Sequence, residues 1–167
     1  MKSVFQMFWR MCLLRQNPAH VPTQTWFVAF IIVANLLTSI IVSFSIDQTA
    51  NALEITTRIV VGQATTAGLI WLATYLREFP NRFAGTLTAL FGCDLIITAC
   101  FGLLVPVVSL FGENTLMVLT LAALVWSLAV TGFIIARSLS IQISIGILLA
   151  LGITVLSTAT SQLSIGA

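Results

Sequence analysis

Apolar residues run along this chain in long unbroken stretches instead of alternating with polar ones. Five stretches reach the roughly 20 residues that a helix needs to cross a hydrocarbon core about 30 Å thick. They are Trp26 to Phe44, Ile55 to Leu76, Phe83 to Val108, Leu116 to Ala136, and Leu139 to about Ser161. A membrane β-barrel is not expected, because its strands alternate apolar and polar positions over short segments. The fold class expected is an all-α membrane protein of five transmembrane helices, preceded by a short N-terminal interfacial helix.

That first helix shows a different pattern. Ser3, Gln6 and Arg10 recur at helical spacing, while Phe5, Phe8, Trp9, Cys12 and Leu13 cover most of the remaining surface. Residues 3–15 are too short and too charged to span, so they are expected to lie in the interface with Trp9 at headgroup depth. The plainer alternative is a segment packed directly on the bundle. Pro18 and Pro22 end the helix and impose an extended connector. Residues 1–22 therefore form one unit and residues 23–167 the five-span bundle. Thr25 is the expected N-cap of the first span and Trp26 its interfacial anchor. Arg10 and Arg15 interrupt the apolar N-terminus, and no small-residue cleavage site precedes the first span, so no cleavable signal peptide is expected. Nor is a C-terminal lipidation box.

Pro106 lacks an N–H and cannot bond the carbonyl of Gly102, so the third span kinks or stops there. The segment "LFGEN", Leu110 to Asn114, reads as a turn. Small residues share helix faces at Gly62/Thr66, Ala64/Gly68, Gly85/Ala89 and Gly146/Ala150, a spacing that lets helices approach closely. No internal repeat is apparent, and five spans do not divide into two inverted halves, which weighs against a repeat-built transporter.

Composition agrees with the pattern. The chain is 59% hydrophobic and 7% charged, against about 25% charged in a soluble domain, and its mean hydropathy is +1.09. The few charges sort by side. Lys2, Arg10 and Arg15 precede the first span, Arg77 and Arg82 follow the second, and Arg137 follows the fourth. Asp47, Glu54 and Glu113 fall on the other side, and only Arg58 breaks the pattern. The positive-inside bias gives a cytoplasmic N-terminus and an exoplasmic C-terminus. The localisation expected is the bacterial inner membrane, multi-pass.

Candidate chemistry centres on one carboxylate. Asp94 sits midway along the third apolar run, where an ionised group costs about 2.5–3.5 kcal/mol. It must face protein or water, and either carries a proton and donates a hydrogen bond or stays ionised beside a cation. Arg58 is the one cation away from the cytoplasmic side, and snorkelling outward accounts for it more simply than pairing with Asp94. Asn35, Gln63, Thr66, Thr98, Ser127 and Thr131 fall near the depth of Asp94, and with it they form the expected midplane polar cluster. Its plain reading is interhelical glue at about 0.6 kcal/mol per bond. Its sharper reading is an ion or proton path. Arg10, Arg15, Arg77 and Arg82 are candidate contacts for anionic lipid headgroups.

Much chemistry is missing. No nucleophile elbow, zinc-protease box, phosphate-cradling glycine loop or catalytic acid pair appears. No basic tract suits nucleic acid. His20 stands alone beside two prolines, with no metal-ligand partner at the right spacing. Cys93 and Cys100 are seven residues apart, about 10 Å by helical rise, too far for a disulfide. No cofactor, metal or enzymatic activity is expected.

The stretch "FWRMCLLRQNPAHVP", Phe8 to Pro22, followed by five spans with a cytoplasmic N-terminus, resembles small bacterial inner-membrane proteins of the Yip1-like family. "FGLLVP", Phe101 to Pro106, echoes that family's Gly-Tyr-x-x-x-Pro motif without its tyrosine, and the Asp-Leu-Tyr-Gly-Pro signature is absent. The resemblance implies five spans, an exoplasmic C-terminus and, in eukaryotic members, work in membrane traffic through partner proteins. It carries over no functional residue. The function expected is a non-enzymatic membrane scaffold or accessory subunit that packs against a membrane-protein partner or another copy of itself. The alternative is a small transporter or channel component using the polar site around Asp94. A cavity open to one side would favour the alternative, and a dry, fully bonded carboxyl the scaffold.

Overall fold

A computed structural model describes residues 2–16, 21–46 and 51–164. The expectations attached to Pro18, His20 and Asp47 lie outside the described residues. Within them the chain forms a short helix α1 (Lys2–Cys12) and five long ones: α2 (Thr25–Ile46), α3 (Ala52–Leu76), α4 (Phe83–Val108), α5 (Glu113–Ser138) and α6 (Ile143–Leu163). All five long helices are apolar and long enough to cross a membrane. The protein is an all-α, multi-pass membrane protein.

Apolarity sets where the helices run, and local chemistry sets where they end. The Asn51 side chain accepts a hydrogen bond from the Leu53 N–H at 3.2 Å and caps α3. For α2 the first intrahelical bond runs from the Val28 N–H to the Gln24 carbonyl, 3.0 Å. The cap therefore falls at Gln24, one residue before the expected Thr25. Trp26 is exposed and donates from Nε1 to the Gln24 side chain at 2.7 Å.

Helices α1, α3 and α5 share one ending. Leu14, Glu78 and Ser140 take positive φ angles of 59°, 59° and 54°. The next N–H in each case reaches back to a carbonyl of the last turn: Arg15 to Arg10 at 2.9 Å, Phe79 to Thr74 at 3.0 Å and Ile141 to Ala136 at 2.9 Å. This closes each helix in a Schellman arrangement, built here on residues that ordinarily avoid the left-handed region. One expected boundary moves as a result. Leu139 to Gln142 form the turn, so the fifth span begins at Ile143, not at Leu139. Pro106 lies inside α4, which stops at Val108. A single 3-10 turn, Ser109–Phe111, leads to Gly112 and the start of α5.

The five long helices form a ring in which α2 touches α3, α3 touches α6, α6 touches α5, α5 touches α4, and α4 returns to α2. Arg77, Arg82 and Arg137 mark one end of this ring, termed here the arginine end. The packed core lies in that half. It contains Ile31, Ile70, Val130, Ile134, Ile135 and Leu139, and on α4 the unbroken buried run Thr86–Cys93.

Two close approaches hold this half together. A Cβ on Gly146 would meet the Gly132 carbonyl oxygen, and one on Gly132 would meet the Ile147 backbone, so α5 and α6 cross almost in backbone contact. This realises the expected Gly146/Ala150 face, and both residues are buried. The expected Ala64/Gly68 face is exposed, and a Cβ on Gly68 would meet nothing within 4 Å. On the outer side of α4, α1 docks through Phe8, Met11 and Cys12, all buried. The Phe8 ring occupies the space a side chain at Gly92 would need. The Cys12 thiol lies 3.8 Å from the Cys93 carbonyl, and the Cys93 thiol 4.0 Å from the Phe8 carbonyl. Phe5, Trp9 and Leu13 remain exposed beside Gln6 and Arg10, so α1 carries a docked face, an open apolar face and a polar edge.

Arg82 ties the two connections at the arginine end. Its Nη1 donates to the Ser138 carbonyl at 3.0 Å and to the Ser140 hydroxyl at 3.1 Å. Its guanidinium also sits 4.5 Å over the Phe79 ring. A cation at the last carbonyls of α5 complements that helix's dipole. Arg10, Arg15 and Arg77 are exposed.

Candidate functional site

The other half of the ring is packed at some helix contacts, such as Gly102 against Val42, but not at its centre. It encloses a cavity of about 610 Å³ lined by residues from all five long helices. The volume falls in the roughly 300–1,000 Å³ range of small-molecule sites. On α2 the wall is Ser39, Ser43 and Ile46, and on α3 it includes Glu54, Arg58, Gly62, Gln63 and Thr66. Asp94 comes from α4, Ser127 and Thr131 from α5, and Thr154, Ser157, Thr158 and Ser161 from α6.

Helical register explains why these residues meet. Positions three and four apart share a helix face. Asn35, Ser39 and Ser43 form such a stripe on α2, as do Glu54, Arg58, Gly62 and Thr66 on α3. Ser127 and Thr131 do so on α5, and Thr154, Ser157, Thr158 and Ser161 on α6. Each stripe faces the ring's axis.

Register also fixes the cavity's extent. Ile46 ends α2 and Glu54 lies in the first turn of α3, so the cavity reaches the bundle's end opposite the arginines. In the other direction its walls stop at Leu90, Phe91, Thr131 and Ile153. Leu90 and Ile153 stand about 10–15 Å from the arginine end by helical rise. Beyond them lies the packed core. Among the described residues the cavity is funnel-like, with Glu54 and Arg58 at its outer end, here its mouth, and Asp94 towards its inner end.

At the inner end Asn35 donates from Nδ2 to Asp94 Oδ2 at 3.1 Å. Asn35 is 0% exposed, and its Oδ1 has no hydrogen-bond partner. Gln63 Oε1 is likewise buried and unpaired. Buried polar groups in native structures are nearly always satisfied, so these two oxygens are exceptions among the described residues.

The hydroxyl walls have a directional character. Thr66 donates to the Gly62 carbonyl at 3.0 Å, Thr154 to Ala150 at 2.9 Å and Ser157 to Thr154 at 3.1 Å. Thr158 donates to Thr154 at 2.8 Å and Ser161 to Ser157 at 2.6 Å. Each proton is committed to its own helix. What these hydroxyls turn to the cavity is oxygen lone pairs. Thr65 and Thr160, close by, bridge α3 and α6 through their hydroxyls at 3.0 Å.

Of the expected midplane cluster, Asp94, Gln63, Thr66, Ser127 and Thr131 line the cavity, and Asn35 joins through Asp94. Thr98, one turn further along α4, is not among the lining residues. Asp94 takes Asn35 as its partner and not Arg58, which stands near the mouth. Sequence reading missed the two α2 serines and the α6 hydroxyls. Their signal was present in "TVLSTATSQLS", where Thr154, Ser157, Thr158 and Ser161 follow helical spacing.

No protein-family model, curated protein or solved structure matches this chain.

Proposed function

We propose that the chain is a small transporter or channel component that admits a polar solute to its central cavity and uses Asp94 as the inner binding group. The single observation that carries this is the polar funnel, walled by all five spans and ending at the Asp94–Asn35 pair. It reverses the order in which the sequence ranked the two functions. A bundle serving only as a scaffold has no use for polar walls around an open volume, since interhelical polar contacts return only about 0.6 kcal/mol each. The α6 hydroxyls donate to backbone carbonyls and not to a base, which supports a passage over a catalytic site. We read the arginine end as cytoplasmic in a bacterial inner membrane, from the positive-inside bias, so the funnel opens away from the cytoplasm. The resemblance to Yip1-like proteins supplies topology to this reading and no residue.

The test is flux. Purified protein in liposomes is supplied in turn with protons, potassium, small amines, amino acids and polyols, and compared with Asp94→Asn. The reading expects at least one solute to move faster than through empty liposomes, and that gain to vanish in a variant with unchanged helicity and elution. No flux of any of them, or flux indifferent to Asp94→Asn, overturns it.

A further inference from the structure

We infer that the solute site at Asp94 selects an organic cation carrying N–H donors, such as a primary ammonium. This rests on the reading of the cavity as a solute site and adds the chemistry of the solute.

Three observations converge on a donor-rich cation. The first is charge. The lining side chains hold two carboxylates, Glu54 and Asp94, and one guanidinium, Arg58, so the net sign is negative when Asp94 is ionised. Arg58 stands near the mouth, and the inner end holds Asp94 with no cation against it among the described residues. The second is the carboxyl of Asp94 itself. Asn35 donates to its Oδ2, and a carboxylate keeps further acceptor capacity that only a donor can fill. The third is the wall. Thr66, Thr154, Ser157, Thr158 and Ser161 all give their protons to their own helices. An anion finds lone pairs on these five hydroxyls, and its donors are Arg58 near the mouth and Ser39, Ser43, Ser127 and Thr131 on the other walls. A polyol satisfies the acceptors but leaves an ionised Asp94 without a counter-charge. An ammonium meets both needs, offering up to three N–H donors and one positive charge. The volume of about 610 Å³ exceeds what a bare alkali ion fills and leaves room for an organic body or accompanying water.

The experiment is a binding titration, independent of transport, on the full chain in lipid nanodiscs. Four small probes are compared: methylammonium, tetramethylammonium, ethylene glycol and acetate. Methylammonium is expected to bind, and to bind more tightly than tetramethylammonium, which has the charge but no N–H. Asp94→Asn is expected to weaken methylammonium at least tenfold, Asp94→Glu to keep part of the affinity, and the exposed Leu148→Ala to leave it unchanged. Equal or tighter binding of glycol or acetate overturns the assignment, as does methylammonium binding that survives Asp94→Asn, or no binding at all. Flux separates the two failures. An Asp94-dependent flux of a neutral or anionic solute keeps the passage and removes the cation, whereas absence of all flux removes the passage itself.

Discussion

Asn35 and Asp94 are bonded at 3.1 Å across the interior of the bundle, one from α2 and one from α4, and among the described residues Asp94 has no other hydrogen-bond partner. The bond fixes the relative height of the two helices where the core ends and the cavity begins. Asn35 gives up one amide proton there and leaves its own oxygen unpaired.

The strength of that link is measurable. A double-mutant cycle between Asn35→Ala and Asp94→Ala is expected to show coupling of about 0.6 kcal/mol, and at most about 1.7 kcal/mol, the range for polar pairs inside membranes. Coupling indistinguishable from zero, read by reversible unfolding in bicelles, contradicts the contact.

Docking of α1 depends on the missing side chain at Gly92. Gly92→Val is expected to displace the Phe8 ring and free α1 from α4. Cys12 and Cys93 are buried and Cys100 is exposed. Alkylation by a lipid-soluble maleimide, counted by mass spectrometry, should reach chiefly Cys100 in the wild type and all three thiols in the variant. An unchanged count in Gly92→Val sinks this account of α1.

Left-handed residues at helix ends are an unused reserve of stability. Glycine at Glu78 or Ser140 removes a steric cost of about 1–2 kcal/mol and adds back roughly 0.5–1 kcal/mol of chain entropy. Glu78→Gly is expected to raise stability by about 0.5 kcal/mol. Ser140→Gly gains less, because it forfeits the Arg82 contact. A clear loss on Glu78→Gly speaks against the positive φ.

Arg82 is expected to matter more than Arg77. Arg82→Ala removes two hydrogen bonds and the stacking on Phe79, a loss of about 1–2 kcal/mol for partly exposed charge-assisted bonds. Arg77→Ala, which removes no side-chain hydrogen bond among the described residues, should stay within about 0.5 kcal/mol. Equal effects in thermal unfolding would remove the staple from the account.

Much of the fold is written in the sequence because lipid leaves the backbone few options. Runs as long as Phe83–Val108 have to be helical, since every N–H and C=O must be satisfied within the segment. The ends are harder to read. Ser140 carries no cue for a left-handed turn, so Leu139 looked like the start of a span. Packing of α1 on the bundle was one of two readings, and its docking face was hidden because Phe8, Met11 and Cys12 are as apolar as the exposed Phe5, Trp9 and Leu13. The site was half legible. Asp94 and Asn35 stand out against apolar neighbours, and their shared depth follows from the spans. Serine and threonine barely change the hydropathy of a helix, so the α6 stripe needed the ring to give it a direction.

Water access to the funnel is the most direct test of the whole account. In a Cys100→Ala background, Gln63→Cys and Ser157→Cys are treated with a charged, membrane-impermeant thiol reagent from each face of sealed vesicles, with the exposed Leu148→Cys as the lipid control. The account predicts that both cavity positions react from the face opposite the arginines, and that Leu148→Cys does not. Silence at both positions, or reaction only from the arginine face, would contradict it.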